Sequence, residues 1–100
     1  MSSREGRLQL SPKAQQDLID ILRYTRAHWG DEQLLVYRDK LNDALSLITH
    51  NPEIGHLSPV LPSTHRVLAV GSHLIIYRHQ VQVIGVVRIL HQRTHLARHL

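Results

Sequence analysis

Apolar residues recur every three to four positions along the first half of the chain and every two along the second half. The stretch Arg7-Leu8-Gln9-Leu10 alternates polar and apolar, which predicts a short strand with one buried face. Ser11-Pro12 then joins a favoured N-cap to the residue favoured at the first helical position, since Pro has no N–H to leave unpaired there. From Lys13 onward Ala14, Leu18, Ile21, Leu22, Thr25 and Trp29 mark one side of a helix. Gly30 is suited to end that helix in the left-handed conformation, and Asp31 to cap a second one. A connection this short makes the two helices antiparallel. Leu34, Tyr37, Leu41, Ala44, Leu45 and Ile48 form the inner side of the second helix. It ends at His50-Asn51-Pro52, because the residue before Pro avoids the helical region and Pro cannot continue the ladder.

Residues 52–64 hold three Pro, one Gly and two Ser and read as an ordered surface connection. Strand alternation follows in His65–Val70 and His73–Arg78, with Gly71-Ser72 as a two-residue turn. A second tight turn is expected near His79-Gln80. The stretch Val81–Leu90 beyond it is apolar on both faces and is therefore expected centrally in the sheet. A short helix or tail from about Thr94 would return Leu96 and Leu100 to the core. The predicted class is α+β: an N-terminal strand, an antiparallel helical hairpin and a three-stranded antiparallel meander forming a small sheet. One hundred residues leave little material for a second core, so residues 1–100 are expected to be a single domain.

Composition narrows the chemistry. The chain has no Cys, which rules out disulfides, thiolate metal sites and a thiol nucleophile. With no Phe, one Trp and three Tyr, stacking platforms for single-stranded nucleic acid are scarce. The start lacks the apolar stretch of a secretory signal, and no apolar run approaches the roughly 20 residues that span a bilayer. A soluble cytoplasmic protein without membrane attachment is expected. In residues 1–50 seven Lys and Arg balance seven acids, whereas residues 51–100 hold five Arg against Glu53 alone. Seven of the nine His share that basic half, which favours an acidic partner, nucleic acid or protein.

His91, His95 and His99 are spaced by four, and two imidazoles at that spacing on a helix can grip zinc or nickel. Gln92 stands where a zinc hydrolase needs a glutamate, and His91 lies too close to the last strand for one continuous helix; no metal or other cofactor is assigned. Cleavage of RNA through its 2′-hydroxyl needs a base, an acid and a cation, for which His73, Tyr77, Arg66, Arg88 and His91 are the available types. Spacing alone does not converge them. Asp17, Asp20, Asp39 and Asp43 read as solvated helix charges in weak pairs with nearby Arg or Lys. Tyr24, Trp29 and Tyr37 read as helix packing, and the same aromatic residues would line a partner groove between hairpin and sheet.

In order along the chain, Leu10-Ser11-Pro12-Lys13-Ala14, Asp17-Leu18, Ile21, Tyr24-Thr25, Trp29-Gly30, Tyr37, Leu41, Asn51-Pro52, Gly55, Arg66, Gly71-Ser72-His73, Tyr77-Arg78 and Arg88-Ile89-Leu90-His91-Gln92-Arg93 resemble the ParE branch of the RelE/ParE toxin superfamily. The resemblance implies a toxin that inhibits DNA gyrase by binding it, without catalysis of its own, and that is neutralised by a ParD-type antitoxin. On that resemblance Arg88, His91, Arg93, His95 and Arg98 are expected to contact gyrase, with an indirect DNA contact in that complex. Tyr24, Tyr37, Arg66, Leu68, Tyr77 and Arg78 are expected to bind an extended antitoxin segment. His95 stands where an acid is expected, which makes the tail more basic. The superfamily also includes ribosome-dependent messenger-RNA nucleases of the RelE type, and a non-toxic basic binding module is the third reading.

Overall fold

A computed structural model describes residues 7–94. Its elements are β1 (Arg7–Leu10), α1 (Pro12–Trp29), α2 (Asp31–His50), β2 (His65–Val70), β3 (His73–Gln80) and β4 (Val83–His91). They form the expected α+β arrangement, a helical hairpin on one face of a four-stranded sheet of order β1-β4-β3-β2. The meander β2-β3-β4 is antiparallel, and β1 adds to β4 in parallel through Arg7↔Val83 to Leu10↔Val86. The doubly apolar β4 is thus an interior strand, as its composition required.

Ser11 secures the junction of β1 and α1. Its Oγ accepts the Ala14 N–H at 3.0 Å and donates to the Val87 carbonyl at 2.8 Å, so one hydroxyl caps the helix and ties it to β4. Gly30 joins the helices at φ 91°, ψ 173°, an extended positive-φ region essentially reserved for Gly rather than the left-handed helical one. Gly30 itself occupies the cap position of α2, with no side-chain cap; Asp31 and Glu32 lie in the first turn, where their negative charge complements the positive end of the helix dipole.

The helix-side core joins Ala14 and Ile21 of α1, Leu41, Ala44, Leu45 and Ile48 of α2, and Ile75, Tyr77, Ile84, Val86 and Ile89 of the sheet. A smaller cluster of Leu61, Ile76 and Leu90, flanked by Val67 and Val87, lies on the opposite face. The 51–64 connection reaches both. Next to α2 it is held by the Tyr77 hydroxyl, and it bridges the outer edge of β2 at His56↔Val67 before Leu61 packs over Ile76.

Two further expectations change, and a third falls outside the described residues. The second hairpin turn lies at Val81-Gln82, two residues later than expected, because Arg78 and Gln80 still pair with Gly85 and Val83; Gln82 turns the chain at φ 63°. Trp29 continues the helical stripe in spacing but is 71% exposed. The helix or tail expected from Thr94 falls almost wholly on residues 95–100, outside the described residues. Among the described residues no helix is long and apolar enough to cross a membrane.

Candidate functional site

The register of β3 and β4 slips once. Tyr77 pairs with Val86 and Ile76 with Arg88, leaving Val87 as the extra residue of a bulge. Alternation shifts by one beyond it, so Ile89 joins Val86 in the helix-side core. β1 stops at the level of Val86, and past that point α1 occupies the edge of β4. Asp17 Oδ2 accepts the Ile89 N–H at 3.0 Å and the Arg88 Nε–H at 2.8 Å, while Oδ1 accepts from Arg88 Nη2 at 2.9 Å. This bidentate pair is largely covered, and the carboxylate holds the Arg88 guanidinium's pKa above its ordinary value. Asp17 is therefore a structural anchor joining α1 to β4 rather than a solvated helix charge.

A groove of about 950 Å³ opens between α1, the start of α2, the β2–β3 turn and the end of β4. Tyr24 and Trp29 rise from its helical wall, 61% and 71% exposed, and Tyr24 stacks on His28 with ring centroids 3.9 Å apart. Tyr37 lies at the base. Gly71, at φ 56°, permits its approach, since a Cβ there would sit 2.6 Å from the phenolic oxygen. That oxygen lies 2.6 Å from His73 Nδ1 and accepts the Ser72 N–H at 3.1 Å. The rings of His73 and His91 meet edge to face at 5.4 Å.

Burial, and then the neighbouring His91, lowers the His73 pKa, which favours the neutral ring in its hydrogen bond with the Tyr37 hydroxyl. His65, on the other face, is lowered by burial and by Arg78. A depressed histidine contributes stability above its unfolded pKa of about 6.5 and loses it as pH falls below that value, because the unfolded chain takes up protons first. The melting temperature is thus expected to fall below about pH 6.5, and His73→Asn to flatten the decline; thermal melts across a pH series check this.

The sequence-predicted partner residues divide. Tyr24 and Tyr37 share the groove with His91. Arg93 follows His91 in sequence, its N–H donating to His91 Nδ1 at 3.2 Å, and its side chain is exposed. Arg88 is held by Asp17, and His95 and Arg98 lie outside the described residues. Four of the residues expected to bind the antitoxin stand elsewhere. Tyr77 is fully buried, because β3 is covered on both faces; its hydroxyl donates to the Pro52 carbonyl and accepts the Gly55 N–H, which corrects its expected place at a contact surface. Arg66 donates to the Gly55 carbonyl at 2.9 Å, and Leu68 packs against the helix-side core. Arg78 is exposed on the sheet face away from the helices, lining a second groove.

Among the five groups weighed for RNA cleavage, His73 and His91 meet at the groove, and Arg66 stands beside Tyr77 across the β2–β3 register. Tyr77 is buried, Arg66 secures the loop and Arg88 is neutralised by Asp17. Among the described residues no group of three or more His, Asp or Glu is placed to hold a metal.

Residues 8–96 match the family model described as the ParE toxin of type II toxin-antitoxin system, parDE. Toxin ParE1 of Caulobacter vibrioides is 36% identical over 91 residues, covering 91% of this chain and 94% of that protein. Toxin ParE1 of Mycobacterium tuberculosis is 38% identical over 96 residues, covering 95% and 98%. A solved structure described as a chromosomal ParDE TA system from P. aeruginosa superposes with a TM-score of 0.74 at 19% identity, over 87% of this chain and 96% of that one, and shares the fold. The chain belongs to the ParE toxin family of type II toxin–antitoxin systems.

Proposed function

We propose that this toxin acts in the bacterial cytoplasm by binding DNA gyrase, without chemistry of its own, and that a ParD-type antitoxin silences it by occupying the groove between hairpin and sheet. The observation that carries the reading is the exposure of Tyr24 and Trp29 on a groove that ends at His91. Exposed aromatic residues on a concave wall are the kind of anchor around which protein interfaces concentrate their binding energy. His91 and Arg93, proposed for gyrase contact together with His95 and Arg98, begin where the groove ends. An antitoxin segment seated there covers the start of the gyrase-directed stretch, which links binding to neutralisation. The similarity in fold to the chromosomal ParDE TA system from P. aeruginosa supports a partner of this kind.

Tyr24→Ala and Trp29→Ala test the groove. Each is expected to weaken antitoxin binding by about 2 kcal/mol, roughly 30-fold, as hot-spot truncations do. Neither should shift the melting temperature by more than a few degrees, since both side chains stand in solvent. Titration calorimetry with the cognate antitoxin checks both, and unchanged affinity in the double variant removes the groove from neutralisation.

A further inference from the structure

The sheet face turned away from the helices carries a second surface. The 51–64 connection covers part of that face through Leu61, and the rest is open. Register places His65 beside Arg78, Arg78 beside Gly85 and Gly85 beside Gln9, so one row crosses all four strands; the next runs from Gln80 through Val83 to Arg7. Neighbouring strands lie about 4.8 Å apart, so the first row spans roughly 14 Å. Alternation puts Arg7 on the same face as Gln9. Gly85 leaves the row's centre low, and the Arg78 stem lies over it, with Cγ and Nε 3.9 Å from where a Cβ would stand. Lys13 adds a further cation from the first turn of α1, which contains no acid to offset the positive end of the helix.

Among the described residues no Asp or Glu lines this groove, nor does any of the large exposed apolar side chains. Arg7, Lys13 and Arg78 form no salt bridge among the described residues. Such a surface offers donors and charge without the anchors that peptide partners need, and those anchors sit in the other groove. Arg, Lys and Gln side chains beside a helix N-terminus are the groups that position nucleic-acid phosphates. With no aromatic residue along either row, unstacked bases have nothing to stack on, which favours a duplex over a single strand.

We propose that this face, through Arg7, Lys13 and Arg78 with His65, Gln9 and Gln80, binds the sugar-phosphate backbone of duplex DNA without reading its sequence. The choice of DNA over RNA rests on the gyrase reading; the phosphate chemistry does not.

The test is salt-dependent binding of the isolated chain to a short mixed-sequence DNA duplex, followed by fluorescence anisotropy. Each phosphate contact contributes about −0.9 to the slope of log K against log salt, so Arg7→Gln/Lys13→Gln/Arg78→Gln should flatten the slope by about two to three and weaken low-salt binding at least tenfold. The variant Arg23→Gln/Arg38→Gln/Lys40→Gln removes equal charge from the hairpin's exposed residues and should keep the wild-type slope. Matching melting curves verify that both variants are folded. An unchanged slope in the first variant, or equal flattening in both, overturns the proposal. Tighter binding of duplex RNA or polyglutamate than of duplex DNA at matched salt also overturns it. Gyrase supercoiling is measured separately, so failure of DNA binding is distinguishable from failure of gyrase inhibition.

Discussion

Asp17→Ala is expected to lower the melting temperature by about 10–20 °C, more than Arg88→Ala, in a protein whose other surface acids can be removed for a few degrees at most. The asymmetry comes from what each change leaves behind. Without Asp17, the Arg88 guanidinium keeps its covered position with no counter-charge, and the Ile89 N–H loses its acceptor at the point where β1 no longer borders β4. Without Arg88, the carboxylate still accepts the Ile89 N–H. Side-chain exposures of 16% and 14% place the pair between the surface and buried limits, so the loss is about 2–4 kcal/mol, below the value for a fully buried pair. Denaturant melts of both single variants and the double variant give the coupling directly. Additive single effects would mean that the pair does not join helix to sheet.

Tyr77→Phe is expected to cost about 2–3 kcal/mol although it removes one atom, since two covered backbone groups lose their partner. The hydroxyl accepts from Gly55 N–H at 2.9 Å and donates to the Pro52 carbonyl at 2.7 Å, tying the end of α2 to the middle of the sheet. Gly55→Ala attacks the same joint from the other side. Its Cβ would lie 2.6 Å from the Tyr77 oxygen, and 3.1 Å from Arg66 Cβ, so the loop must move. Both variants should show earlier hydrogen exchange in residues 53–56 than the wild type, and equal protection in all three would contradict the joint.

The local elements were readable because local rules made them: Ser11-Pro12 starts α1 with the expected cap, and β4, apolar on both faces, lies inside the sheet. Non-local pairings were not. A four-residue β1 pairs in parallel with a strand more than 70 residues away, and nothing in its composition records the partner. Asp17 did carry a signal: it lies three residues after Ala14 and four before Ile21, on the flank of the buried stripe, where a merely solvated acid would be out of place. Trp29 misled for the opposite reason. Its spacing continues the stripe for one turn after Thr25, the last buried position of α1, so periodicity read as core a side chain that borders an open groove. Tyr77 and Arg66 were legible as notable residues but not as loop anchors, since their partners are backbone groups of the 51–64 connection.

These placements leave Arg7, Lys13 and Arg78 on a different surface from Tyr24 and Trp29, and the groups weighed for RNA cleavage divided between the groove, the loop joint and the Asp17 pair. The direct measurement is a parallel assay of the purified chain, free of antitoxin, on gyrase supercoiling of plasmid DNA and on ribosome-bound messenger RNA. Dose-dependent loss of supercoiling with intact messenger RNA is the expected result. Cut messenger RNA with undisturbed supercoiling would contradict the account.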